Sequence, residues 1–208
     1  MTRFFVDNRE ITAPFELSSL EEVIKHVEAV HLPPESVVRQ IRIDGLPLVI
    51  PDSGEKSELP FQVDQRDRID IFTGTIAEIA RDSIADALQY LGRIETATPS
   101  LITSFQVSPG PESFERLKQL YEGLYWLTLL LSKLEMKFQL NLAGALIRGT
   151  PASEHHKRFI AVLKQLIEGQ QKGDFVLIAD LLEYEILPLV RVWREMFGLV
   201  SEKVNTAQ

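Results

Sequence analysis

Asp180 and Glu183 stand three residues apart, a spacing that puts two carboxylates on one face of a helix, where coupled acid–base chemistry could be done. Arg191 and Arg194 fall on the same strip one to three turns later, so a solvated charged stripe accounts for all four residues more simply. Glu185 is a different case. On a helical wheel it falls among Ile178, Leu181, Leu189, Val192 and Met196, inside an apolar arc. An ionised carboxylate is costly there unless it is paired or hydrogen-bonded. Its partner is either an arginine or tyrosine hydroxyl on a neighbouring helix, or a polar group across a helix–helix or subunit interface. Pro188, three residues on, has no N–H for the Tyr184 carbonyl, which predicts a kink that frees that carbonyl.

Metal chemistry finds little support. A di-iron bundle needs two Glu-x-x-His motifs and two further inward glutamates, and the chain has one such motif, Glu28 to His31. His155 and His156, beside Glu154, project about 100° apart on a helix and so do not readily share one ion. They read as exposed cap-region histidines. With no cysteine, disulfides, thiolate catalysis and Cys-ligated zinc or iron–sulfur centres are excluded. There is no Gly-x-Ser-x-Gly, no phosphate-cradling Gly-x-x-x-x-Gly-Lys and no Gly-x-Gly-x-x-Gly. No catalytic residue, metal or cofactor is therefore assigned, and a non-enzymatic role is favoured.

The chain of 208 residues is 45% hydrophobic and 25% charged, enough for one large or two small domains with ordinary cores. Its net charge is −8, concentrated in residues 1–73, where 8 Lys/Arg face 14 Asp/Glu. Neither part has the basic patch that phosphate contacts require, so nucleic acid is not an expected partner. The opening Met-Thr-Arg-Phe-Phe-Val-Asp lacks the features of a secretory signal, and no apolar run approaches the roughly 20 residues that span a bilayer. A soluble, cytoplasmic protein without membrane contact is the expectation.

The elements follow from period and punctuation. Residues 3–6 and 10–17 read as strands turned by Asp7-Asn8. Ser18 and Ser19, three before Glu21 and Glu22, form a doubled capping box for a helix that Pro33-Pro34 ends. Residues 37–43 alternate, Asp44-Gly45 marks a hairpin, residues 46–50 return, residues 51–58 make a polar loop and residues 68–72 give a last strand. The order strand–strand–helix–strand–strand–loop–strand resembles the β-grasp, or ubiquitin-like, fold over about a third of the chain. Ubiquitin-like carriers end in a free Gly-Gly; here the segment runs on into Thr73-Gly74-Thr75, which disfavours a carrier role and leaves a scaffold for protein contacts.

Residues 74–208 read as helices. Thr75 with Glu78 makes a capping box, and Ile76, Ala80, Ile84, Ala87, Leu88, Leu91 and Ile94 form one stripe. Thr98-Pro99 looks like the start of a separate short helix. A long helix follows from residue 112 to about 138. Residues 149–152 break the chain, and Ser153 then caps a helix that Gly173 ends. Asp174 caps the last long helix, whose apolar arc is wider than one contact requires. The expected class is α+β: a β-grasp domain over residues 1–73 and an antiparallel helical bundle over residues 74–208.

Trp126, Leu129 and Leu130 project from the face of their helix that also carries Glu115, Lys118, Gln119, Glu122, Lys133 and Lys137. Either another helix of the chain covers them or a second subunit does. With Glu185 and Trp193 they are the candidate contact residues. The expected function is protein–protein interaction, as an adaptor, chaperone-like or regulatory subunit that forms a homodimer. The run Leu120-Tyr121-Glu122-Gly123-Leu124-Tyr125 is faintly similar to helical export chaperones, a narrower form of the same role. The competing expectation is a small-molecule site or enzyme in the bundle core, built on Glu185 with Tyr184 or Tyr121.

Overall fold

The computed structural model describes residues 2–12, 19–33, 35–48 and 68–206. Its class is mixed α+β, with a five-stranded sheet N-terminal and helices C-terminal. The chain divides into two compact units, Met1–Ile79 and Ala80–Gln208.

In the first unit β1 (Arg3–Val6) turns through Asp7 and Asn8 into β2 (Arg9–Ile11). Both turn residues have positive φ, 47° and 66°, the type I′ geometry whose twist suits a two-residue hairpin. The Asp7 carboxylate then accepts the Thr73 N–H at 2.9 Å, tying the turn to the last strand. Helix α1 (Leu20–Val30) opens on a reciprocal box, Ser19 Oγ accepting from Glu22 N–H and Glu22 Oε2 from Ser19 N–H. Strand β3 (Ser36–Ile43) turns at Asp44-Gly45, with φ 50° and 84°, into β4 (Leu46–Pro47). Strand β5 (Arg68–Thr75) completes the sheet in the order β2-β1-β5-β3-β4; β1 and β5 are parallel and the other pairs antiparallel.

Alternation along β5 sorts its side chains. Ile69 and Ile71 join Phe4, Ile41, Val23 and Val27 in a core between sheet and helix. Arg68 and Asp70 share the opposite face, where Arg68 Nε and Nη2 donate to Asp70 Oδ1 at 2.9 and 2.7 Å while its guanidinium lies 4.0 Å over the Phe5 ring. Strand β5 extends three residues beyond the expected end at 72, because β3 pairs with it as far as Ser36↔Thr75 across a bulge between Val38 and Gln40. Ser18, the far part of the expected second strand, residues 49–50 and the 51–58 loop lie outside the described residues.

Helix α2 (Ile76–Val107) corrects one expectation: Thr98-Pro99 does not start a new helix but lies inside this one. Proline removes the N–H that would bond the Glu95 carbonyl, at a cost of about 3 kcal/mol. Against that, Leu101, Ile102 and Phe105 continue the stripe of Leu91 and Ile94 into the core, each contributing roughly 1.5–3 kcal/mol by burial. Thr98 turns its hydroxyl onto Ile94 O at 2.7 Å, so the one buried hydroxyl beside the proline is satisfied.

After α3 (Pro111–Lys137) comes a second correction. The expected break at residues 149–152 is a β-hairpin, β6 (Leu146–Ile147) and β7 (Thr150–Pro151), turned by Arg148-Gly149 with φ 52° and 80°. Helix α4 (Ala152–Lys172) starts at Ala152, ahead of the expected Ser153 cap, because Pro151 holds the extended entry to the helix. Gly173 then ends α4 in the left-handed conformation at φ 67°.

The final helical stretch departs most from the expectation of one α-helix. Asp174 caps it, accepting the Leu177 N–H at 3.0 Å, and α5 covers Phe175–Leu181. Leu182–Ile186 then forms a π-helical turn that closes with Leu187 N–H bonding Leu182 O, and α6 continues over Leu187–Thr206. The expected kink at Pro188 is met by this inserted turn, which widens the helix directly before the residue that cannot donate.

Candidate functional site

Glu185 is where the π turn matters most. In an uninterrupted α-helix it would lie seven residues after Ile178 and four after Leu181, facing the core. The extra residue in the wide turn hands that position to Ile186, which is 1% exposed. Glu185 is instead half-buried at the edge, its carboxylate bonded to Arg158 of α4 at 2.8 Å (Nε) and 2.7 Å (Nη2). The arginine partner on a neighbouring helix is thus found, and Glu185 is not an isolated acid in an apolar arc. Tyr184 beside it is exposed, so these two residues do not line a core site.

Trp193 is also corrected. It is 1% exposed, packed with Phe159 and Phe197 at ring-centroid distances of 4.9 and 6.4 Å, and no partner surface can reach it. Its indole N–H and the Tyr121 hydroxyl have no hydrogen-bond partner among the described residues. Burial pushes the Tyr121 hydroxyl up to about 12, since a phenolate there would lose its hydration. The charged strip divides as well. Arg194 donates to Glu95 of α2 at 2.7 Å and Arg191 stands 3.6 Å from the same carboxylate, so both arginines join the helix to α2. Asp180 remains exposed.

The histidines stay separate. His155 is half-buried with Nε2 3.1 Å from Ile147 O, His156 is exposed, and His31 meets His26 edge-on at 5.6 Å. Among the described residues no group of three or more His, Asp or Glu is placed to hold a metal ion. No helix among them is long and apolar enough to cross a membrane.

On α3 the candidate face is present but differently composed. Trp126 and Leu129 are each 38% exposed, whereas Leu130 is half-buried against the core. Tyr125, directly before Trp126, and Met136, two turns after Leu129, are also exposed, and the sequence reading does not single them out. The result is a ridge of large apolar groups, Tyr125, Trp126, Leu129 and Met136, with Glu122 before it and Lys133 within it. Tyr90 of α2 supports the ridge from the side. Its ring meets Trp126 edge-on at 6.0 Å and its hydroxyl donates to Gln119 O at 3.2 Å. Gly123 makes room for it: a Cβ there would overlap the Tyr90 ring and hydroxyl. A glycine inside a long helix was the sequence signal for this close approach.

Residues 82–196, more than half of the chain, match a protein family described only as a domain of unknown function, DUF8042. The chain belongs to the DUF8042 family. The matched region begins inside α2 and ends inside α6, so it contains the α3 ridge, the π turn and the Glu185–Arg158 pair, and lies outside the sheet. No curated protein and no solved structure matches the chain.

Proposed function

We propose that this DUF8042 protein is a non-enzymatic interaction protein that self-associates through α3. The observation that carries the reading is the exposed ridge of Tyr125, Trp126, Leu129 and Met136 on one helix face. Apolar groups of this size on one patch favour being covered, and tryptophan and tyrosine contribute heavily to interface energy. The charge order along α3 argues for a second copy as the cover. Two α3 helices crossing antiparallel about a two-fold axis midway between Trp126 and Leu129 set each tryptophan against the other copy's leucine. The same axis sets Glu122 against Lys133, an isologous and attractive pair. Lys118 against Lys137 is the like-charge match in this register, and Lys118 has its own Glu122 at 3.7 Å.

The finer architecture belongs to the same proposal. A β-grasp reading of residues 1–73 is supported by the sheet order with β1 and β5 parallel at its centre. An antiparallel bundle over residues 74–208 is supported by the pairing of α2 with α3, in which Tyr90 meets Gly123, Arg116 donates to Ala97 O, and Phe105 meets Phe114. The partner side runs backwards as the helix runs forwards. A cytoplasmic adaptor or regulatory subunit is the role proposed for such an assembly, with no nucleic acid as partner.

Light scattering of the full chain at micromolar concentration tests the reading. Wild type should have the mass of a dimer, and Trp126→Ala or Leu129→Asp should have that of a monomer with helical content retained. A wild-type monomer, or a dimer that both substitutions leave intact, would contradict it.

A further inference from the structure

A cleft of about 390 Å³ lies within the helical unit, walled by one face of α3, the segment leading to the hairpin, the first turns of α4 and Met196 of α6. Its volume is in the range of small-molecule sites, roughly 300–1,000 Å³. The floor is apolar and closed: Leu142, Ala152 and Met196 are buried, and Leu131 is half-buried beside them. The rim is polar, carrying Ser132 and Glu135 from α3 and Ser153, His156 and Lys157 from α4.

The charges on that rim are not equivalent. Lys157 is paired with Glu154 at 2.7 Å on its own helix. Glu135 accepts only the Leu142 backbone N–H, through Oε1 at 3.0 Å, and among the described residues no cation pairs with it. A carboxylate set beside an apolar floor, with no counter-charge and one oxygen not used by that bond, is complementary to a cation that carries a hydrocarbon body. The ridge of the proposed interface uses positions 125, 126, 129 and 136, whereas the cleft uses 128, 131, 132 and 135, so the two adjoin along the helix at Ser132 but share no residue.

We infer that this cleft is a binding site for a small amphipathic amine. The ammonium pairs with Glu135, the hydroxyl oxygens of Ser132 and Ser153 accept hydrogen bonds from its remaining N–H groups, and the alkyl or aryl body lies on Leu131, Leu142 and Met196. The inference is independent of self-association, because none of these residues belongs to the α3 ridge.

The test is a calorimetric titration of the full chain with three probes of one hydrocarbon length: n-hexylammonium, heptanoate and 1-hexanol. The ammonium should bind at least about tenfold more tightly than either other probe, the usual scale of a charge-assisted contact. In Glu135→Gln, which keeps an acceptor for the Leu142 N–H, the ammonium's advantage should disappear. Ala152→Met, which fills the floor, should abolish binding of all three while circular dichroism shows the helices retained. Failure of the ammonium to bind, equal affinity for the three probes, or an advantage that survives Glu135→Gln would each overturn the assignment. If Ala152→Met does not fold, Ala143→Leu at the cleft wall supplies the same test.

Discussion

Two buried polar atoms near the aromatic core lead to predictions at the scale of single residues. The Tyr121 hydroxyl has no partner among the described residues, and removing an unsatisfied buried group while keeping the ring is expected to be neutral or mildly favourable. Tyr121→Phe should therefore leave stability at neutral pH unchanged or raised by up to about 1 kcal/mol in chemical denaturation. Because burial lifts this hydroxyl from 10.0 to about 12, the folded state holds its proton more tightly than the unfolded chain does. Stability is therefore unaffected by this group below pH 10 and falls as pH rises from about 10 through about 12, where the unfolded chain gives up the proton and the folded state keeps it. Denaturation midpoints measured across that window should fall less steeply in Tyr121→Phe than in wild type, and tyrosinate absorbance should lose its latest-titrating step. Trp193 behaves differently, because its whole ring is core: Trp193→Ala should cost roughly 3–5 kcal/mol and unfold a marginal domain at ordinary temperatures.

Helices and turns show where the sequence was legible and where it was not. Ser19, Thr75 and Asp174 name their helix starts correctly, since a cap is a short-range hydrogen bond that neighbouring residues suffice to specify. Asp7-Asn8 and Asp44-Gly45 announce their hairpins for the same reason. Arg148-Gly149 was missed because its strands are two residues each, too short for alternation to register. Pro99 was read as a boundary, but whether a proline ends a helix depends on what the next turns bury, and Leu101, Ile102 and Phe105 bury completely enough to carry the helix on. The π turn was hidden for a related reason. Pro188 signals trouble with the helix, yet not how it is relieved, and a wheel of constant pitch then misplaces Glu185.

Among the candidate contact residues, the exposure of Trp126 and Leu129 was legible because both interrupt a polar face, whereas covering Leu130 and Trp193 is a property of the tertiary packing. Gly123 gives a prediction at this level. Gly123→Ala gains about 1 kcal/mol of helix propensity but drives the Tyr90 ring off α3. Global stability should change little, while Trp126 fluorescence shifts as its edge-on tyrosine departs.

At the scale of the whole molecule, two compact units of different class share one chain, and the family match and the proposed contact surface lie in the helical one. The net charge of −8 opposes random association at low salt, so a dimer must be held by a specific surface. The proposed register supplies one, in which Glu122 of each copy meets Lys133 of the other around an apolar centre. Sedimentation equilibrium of the charge-exchanged variants measures this most directly. Glu122→Lys and Lys133→Glu should each weaken the dimer by roughly tenfold, since each places like charges opposite one another, and the double variant should restore it to near the wild-type constant. Weakening that simply adds in the double variant, or a wild-type chain that sediments as a monomer, would contradict self-association through α3.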